Sequence, residues 1–200
     1  MPALLKALGD KGAGTTVLQV QCGGAHTLAL CDNGDVYAWG SNDDMQLGLG
    51  PGVGKKVNRP ELVTDLSGKG ILRVACGKNF SLALSESGDV YSWGAGSALQ
   101  LGHGGKAGED YPRMIEVLRD VRKVAAGANS SWAINSDQSV LSWGAGDHGQ
   151  LGHAKVAPST SHGRPRTGRP TKIPSTTAGL VASYPPLRNM TKPLMVGSRR

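Results

Sequence analysis

Five histidines, three cysteines and the acid pair Asp43-Asp44 are the side chains with which this chain could do covalent, acid–base or metal chemistry. Their spacing argues against all three. The histidines are His26, His103, His148, His153 and His162, and none forms a His-x₃-His pair; no Cys-x₂-Cys pair occurs either, so a zinc site is not expected. His103 and His153 each follow a Gln-Leu-Gly phrase and are therefore repeat positions rather than unique ligands. Asp43-Asp44 lies in a polar loop without an acid or base partner of its own. No nucleophile stands beside a base at a readable spacing. The glycine-rich "WGAGSALQLGHGG" follows a Trp strand instead of joining a strand to a helix, so it is not a phosphate cradle. The chain is not expected to be an enzyme or to need a cofactor.

Repetition explains why these residues recur. "VYAWGSNDDMQLGLG" from Val36, "VYSWGAGSALQLGHG" from Val90 and "VLSWGAGDHGQLGHA" from Val140 are copies of one unit. Trp39, Trp93 and Trp143 are 54 and 50 residues apart, and Gln46, Gln100 and Gln150 keep the same intervals. So do Gly23, Gly77 and Gly127, and likewise Gly40, Gly94 and Gly144, which follow each Trp. A period near 50 residues signals a repeat architecture. Cys22 and Cys76 share one repeat position that is Ala126 in the third copy, so that position reads as a small core filler. Sparse, odd cysteine usage fits a reducing, intracellular compartment, cytoplasmic or nuclear.

Each unit is expected to open with a proline phrase ("MPALL", "RPELV", "YPRMI"), followed by three short apolar runs. The units are 2–50, 51–104 and 105–153. Alternation within the runs predicts half-buried strands, with Leu72, Val74 and Cys76 on one side and Leu82 and Leu84 likewise aligned. Asn33-Gly34 and Ser87-Gly88 predict two-residue hairpins; Asp137-Gln138, lacking the Gly, predicts a less well specified one. The Trp residues are expected to pack within or between units. The longest inter-strand loops, Gly50–Pro60 and Gly102–Pro112, read as polar. Four short strands per unit describe a propeller blade.

"CGGAHTLALCDNGDVYAWGSNDDMQLGLG" resembles the repeat of the regulator of chromosome condensation family. The resemblance covers roughly residues 2 to 153; it implies the family's all-β fold, a seven-bladed β-propeller, of which this chain would form a partial β-propeller of about three blades. It also implies a protein-protein interaction module. The alternatives are guanine-nucleotide exchange on a small GTPase, as in the family's archetype, and chromatin or DNA association. In light-sensing relatives a Trp follows the first repeat glycine; here those positions are Gly24, Lys78 and Ala128, so a photoreceptor role is not implied. Expected partners are a protein, either a small GTPase or a second propeller-forming chain, with no membrane.

Charge divides the chain in two. Residues 1–147 hold 13 Lys/Arg and 15 Asp/Glu, for −2; residues 148–200 hold 9 Lys/Arg and no acid, for +9. This basic tail, 154–200, rich in Pro, Ser and Thr, is expected to be largely irregular. It carries two Gly-Arg-Pro triplets, and Arg164, Arg166, Arg169 and Lys172 resemble the AT-hook that enters the DNA minor groove. Each triplet lacks the hook's first Arg. Weak nucleic-acid binding through the tail is the expectation. "RPTKIP" at Arg169 and Ala178-Gly179 also read as an eroded fourth repeat, in which Pro193 would interrupt a strand.

Overall fold

The computed structural model describes residues 15–153 and 166–173. Twelve strands form three antiparallel four-stranded sheets. The first holds β1 (Val17–Cys22), β2 (His26–Cys31), β3 (Val36–Ser41) and β4 (Lys56–Leu62). The second holds β5 (Ile71–Cys76), β6 (Phe80–Ser85), β7 (Val90–Gly94) and β8 (Glu109–Met114). The third holds β9 (Val121–Ala126), β10 (Ser130–Asn135), β11 (Val140–Ala145) and β12 (Arg166–Lys172). Each is a meander in which sequence neighbours pair. The inner strands β1, β5 and β9 lie side by side, as the blades of a partial propeller require.

The core lies between blades rather than within them. Leu28, Leu30, Val36 and Leu47 of the first blade pack on Ile71, Val74 and Trp93 of the second. Leu84, Val90 and Ile115 of the second pack on Val121 and Trp143 of the third. Each blade thus has a leading face, turned toward the blade before it, and a trailing face, turned toward the blade after. β6 has a neighbour on both faces and every one of its residues is buried, so the half-buried alternation expected of it is absent. Leu72 departs from its expected alignment: a register shift between Ile71 and Arg73 leaves it exposed while Val74 is buried.

Three further expectations change. The proline phrases do not open the sheets. Pro60 and Pro112 lie in β4 and β8, the outer strands that close the sheet before them. Pro suits such a strand, because an outer edge needs no donor from it. By the same logic "RPTKIP" closes the third sheet: β12 pairs with β11, placing Leu141 opposite Lys172 and Ser142 opposite Thr171. So seven residues of the tail are regular strand; Gly179 and Pro193 lie outside the described residues. The hairpins have three-residue loops: Cys31 N donates to Asp35 O while Gly34 N donates to Cys31 O, with Gly34 at φ 82°. The third hairpin has the same two bonds, from Asn135 N to Ser139 O and from Gln138 N to Asn135 O, and forces Gln138 to φ 66°. The shape is kept, at a steric cost of about 1–2 kcal/mol for a side chain in the left-handed region.

Candidate functional site

The repeated residues meet at the joints between blades. The Gln46 side chain folds its own turn, its Oε1 accepting from Asp44 N at 2.9 Å. This aims the Gln46 carbonyl at the next blade, where it accepts from Trp93 Nε1 at 3.0 Å and from Ser81 Oγ at 2.9 Å. The second joint repeats the first. Gln100 Oε1 takes Ala98 N at 2.8 Å, and the Gln100 carbonyl takes Trp143 Nε1 and Ser131 Oγ, both at 2.8 Å. Gly48 and Gly102 lie under the two indoles; a Cβ at Gly48 would come within 2.7 Å of Trp93 Nε1. Gly23 and Gly77 make room for the rings of His26 and Phe80, which a Cβ would meet at 2.1 and 1.8 Å, whereas Gly127 meets Trp132 only at 3.1 Å. Gly40, Gly94 and Gly144 mark the register shifts of β3, β7 and β11, at φ 105°, 97° and 103°. Gln150 folds its turn in the same way, Oε1 taking His148 N at 2.8 Å, but its carbonyl has no partner among the described residues. Trp39 is only half-buried and its indole N–H likewise has none.

Three Ser–His pairs have the spacing of a nucleophile and its base. His26 Nε2 lies 3.0 Å from Ser81 Oγ, His103 Nε2 2.9 Å from Ser92 Oγ, and His153 Nε2 3.0 Å from Ser142 Oγ. Each serine proton is already committed to a backbone carbonyl: Gln46 at 2.9 Å, Leu101 at 2.7 Å and Leu151 at 2.7 Å. Each imidazole must therefore donate to its serine, the reverse of what a general base does. Burial pushes the His26 imidazole down to about 4 and leaves its Nδ1 without a partner. His103 is also lowered, by burial first and by Arg113 second. These pairs fasten blades and turns; they are not poised for acyl transfer. Two of them were readable in the sequence as a Ser and a His eleven residues apart; the third spans a whole repeat.

The cysteine position is not uniformly a core filler. Cys76 packs against the first blade, its Sγ 3.5 Å from Gln21 O, and burial pushes its thiol up to about 12. Cys22, at the same position of the first blade, is exposed. Among the described residues no group of three or more His, Cys, Asp or Glu side chains could hold a metal ion, and no helix is long and apolar enough to cross a membrane.

The loops expected to be polar instead carry an open groove. Leu49, Val53, Val57 and Leu62 of the first blade face Tyr111 of the second across about 490 Å³, with Lys56 and Glu61 along the wall. Val53 and Tyr111 are exposed. Gly50, at φ 78°, lets the Tyr111 ring lie directly on the backbone, and Gly50 N donates to Asp110 O at 3.3 Å. An open cleft of this volume, lined by apolar side chains and by charged and polar ones in nearly equal measure, has the character of a contact site for a partner of mixed chemistry.

Most of the basic tail lies outside the described residues. Arg169 and Lys172 lie on β12, whose backbone is engaged by β11. Arg169 lines a small pocket of about 80 Å³ with His103, Arg113 and Glu116, and Lys172 Nζ lies 3.5 Å from Asp137 Oδ2. Ser139 hydrogen bonds first, and Lys172 after them, hold the Asp137 carboxyl below its usual range. Arg166 contributes backbone to β12, and Arg164 lies outside the described residues.

Comparison with known proteins agrees with this architecture. Residues 33–84, 87–134 and 137–181 match the Regulator of chromosome condensation (RCC1) repeat. Among curated relatives, the E3 ubiquitin-protein ligase HERC2 of Homo sapiens is 42% identical over 120 residues, which is 59% of this chain and 2% of that protein. The mitochondrial RCC1 domain-containing protein RUG3 of Arabidopsis thaliana is 39% identical over 120 residues, 60% of this chain and 25% of that protein. Among solved structures, human WBSCR16 superposes with a TM-score of 0.71 at 30% identity, over 86% of this chain and 41% of that one. Prp20p of Saccharomyces cerevisiae, studied for its binding to Gsp1p and histones, gives 0.67 at 30% identity, over 80% and 36%. The chain thus spans well under half the length of each of these relatives. With the repeat match covering most of its residues, the chain belongs to the regulator of chromosome condensation repeat family.

Proposed function

We propose that this chain is a protein-interaction module whose contact site is the groove between β4 and Tyr111. The observation that carries the reading is an open groove in which Leu49, Val53, Val57 and Leu62 of the first blade face Tyr111 of the second, with Lys56 and Glu61 beside them. Val53, Val57 and Leu62 would take apolar side chains of a partner segment, while Lys56 and Glu61 would orient it. Relatives that bind proteins, such as Prp20p with Gsp1p and histones, support the general class. The three free cysteines favour an intracellular setting, cytoplasmic or nuclear. The test is a photo-crosslinking side chain placed at Val53 and, as control, at the exposed Leu72. A discrete protein adduct at position 53, absent from 72 and removed by Val57→Asp, is the expected result. The same adducts from both positions would contradict the reading.

Guanine-nucleotide exchange is the second reading, favoured by the likeness to Prp20p. The chain covers 36% of that structure, a small part of any surface a GTPase would be held against. It is therefore expected not to speed release of labelled GDP from a nuclear-type small GTPase. A many-fold acceleration at micromolar chain would reverse the order of the two readings.

A further inference from the structure

The inner strands carry a fastening at the first joint that the second joint lacks. At the first, the Gln19 side chain crosses from β1 to the open edge of β5. Its Oε1 accepts from Val74 N and its Nε2 donates to Val74 O, both at 3.1 Å. Cys76 adds a second tie, its Sγ 3.5 Å from Gln21 O. Repeat equivalence puts Arg73, Val124 and Ala126 at the corresponding places of the second joint. A guanidinium donates and cannot accept, so Arg73 cannot take the Val124 N–H as Gln19 takes that of Val74. Ala126 has no thiol to donate.

The Val124 backbone is therefore open on its inner side. In an antiparallel pair, residues bonded to the partner strand alternate with residues whose groups point away from it. Gly127 N donates to Ser130 O, which sets the phase. Counting back by twos, Ala125 and Lys123 are bonded to β10, and Val124 points to the free edge, as Val74 does in β5. Neither the Val124 N–H and C=O nor the Arg73 guanidinium has a partner among the described residues. Arg73 and Val124 line one cavity of about 250 Å³, with Ala75, Ala125 and Ala126 as apolar wall. The charged side chains of the three inner strands are Arg73, Arg122 and Lys123, with no acid among them.

We propose that this cavity is a carboxylate site whose occupant is an Asp or Glu side chain of a partner protein segment. The first joint supplies the template, an oxygen seated on the inner-edge N–H and an amide N–H seated on the C=O beside it. At the second joint one carboxylate oxygen would take the Val124 N–H and the other the Arg73 guanidinium, a charge-assisted pair. The Val124 C=O would then take a backbone N–H of the same segment, which a free small anion does not offer. The alanine wall leaves room for the methylene stem. Both blades of this joint are present with all four strands, and the residue that would close it belongs to β5. The site thus does not depend on what borders the first or the third blade. It lies on the inner strands, apart from the groove at β4, so either can fail without the other.

The probe is the acetylated, amidated tripeptide Gly-Glu-Gly, with Gly-Gln-Gly as its neutral counterpart. Each is titrated into the full chain at constant ionic strength and followed by amide and arginine side-chain NMR. Saturable shifts of the Val124 amide and the Arg73 Nε–H are expected in the millimolar range, while the Val74 amide, held by Gln19, stays still. Gly-Gln-Gly should bind about fivefold more weakly, since it forms no bond between charged groups. Propionate, the side chain without its peptide groups, should also bind more weakly than Gly-Glu-Gly. Arg73→Gln copies Gln19 and should close the site: the Val124 amide should stop responding, and its hydrogen exchange should slow by about tenfold or more. Gln19→Arg should do the reverse at the first joint and make the Val74 amide responsive. Far-UV melting checks that both variants fold. Equal shifts with Gly-Gln-Gly or with sodium chloride alone would overturn the proposal, as would propionate binding as tightly as Gly-Glu-Gly. So would an Arg73→Gln chain that still responds at Val124, or a Gln19→Arg chain silent at Val74.

Discussion

Replacing each repeat tryptophan with phenylalanine measures what a blade joint contributes. Trp93→Phe and Trp143→Phe remove an indole N–H that donates to a Gln carbonyl at 3.0 and 2.8 Å. The carbonyl keeps its serine donor, so it is not orphaned, and loss of one hydrogen bond costs about 0.5–1.5 kcal/mol. Both indoles are fully buried, and the smaller ring leaves a gap beside Gly48 or Gly102 that adds roughly 1–2 kcal/mol. The sum is about 1.5–3.5 kcal/mol at each joint. Trp39→Phe makes the same chemical change at a half-exposed site with no acceptor among the described residues, and should cost under about 1 kcal/mol. Urea unfolding followed by far-UV circular dichroism, with constant slope across the series, gives the three values without relying on tryptophan emission. Equal losses at all three positions would refute the reasoning, since the tryptophan would then act through its own blade and not through the joint.

Other expectations follow from particular side chains. His26 titrates near 4 in the folded chain and at its ordinary 6.5 when unfolded, so the unfolded state binds the proton more readily between those values. Stability is therefore unaffected above pH 6.5 and falls as pH drops toward 4, by about 3 kcal/mol in total. His26→Phe, which copies Phe80 at the same repeat position, should flatten most of that slope in a urea-midpoint series, leaving a smaller part from His103; an unchanged slope would rule out His26 as its source. Gln138→Gly should raise the unfolding free energy, read from urea melts, by about 0.5–1 kcal/mol, because the left-handed residue of the third hairpin then matches Gly34 and Gly88. For the tail, ending the chain at His153 would also strip β12 from β11, so neutralising its nine Lys and Arg residues is the cleaner change. Retention on duplex DNA at low salt should then vanish, and Arg169→Ala with Lys172→Ala should lower the salt slope by less than about 2. Equal retention by the neutralised chain would remove the tail from consideration.

Much of the fold is legible in the sequence because repetition multiplies every signal. One Trp-Gly pair is ambiguous; three at intervals of 54 and 50 define a unit. The phase of that unit is less legible. Prolines at 60, 112 and 170 look like openings, yet an outer edge strand tolerates Pro best, so they close the preceding sheet. Leu72 shows the limit of period-two reasoning, since one register shift at β5 turned an expected inward residue outward. Gln138 shows the limit of composition: a non-glycine residue adopts the left-handed turn because the strands on either side impose it. The Gln phrase was visible, but its use was not. The sequence shows a side chain, whereas the next blade reads the backbone carbonyl that the side chain aims. Val53 and Tyr111 sat unnoticed inside loops whose average character is polar, and only folding brings them across one groove.

The central claim is that the Gln46 and Gln100 carbonyls each receive the next blade's indole, while the Trp39 indole has no acceptor among the described residues. The chain has four tryptophans, so an amide and indole hydrogen-exchange spectrum reports the claim directly. Two indole protons, those of Trp93 and Trp143, should exchange slowly, on the timescale of blade opening, while those of Trp39 and Trp132 should exchange orders of magnitude faster. An indole of Trp39 as slow as that of Trp93, or fast exchange at Trp93 and Trp143, would contradict the account.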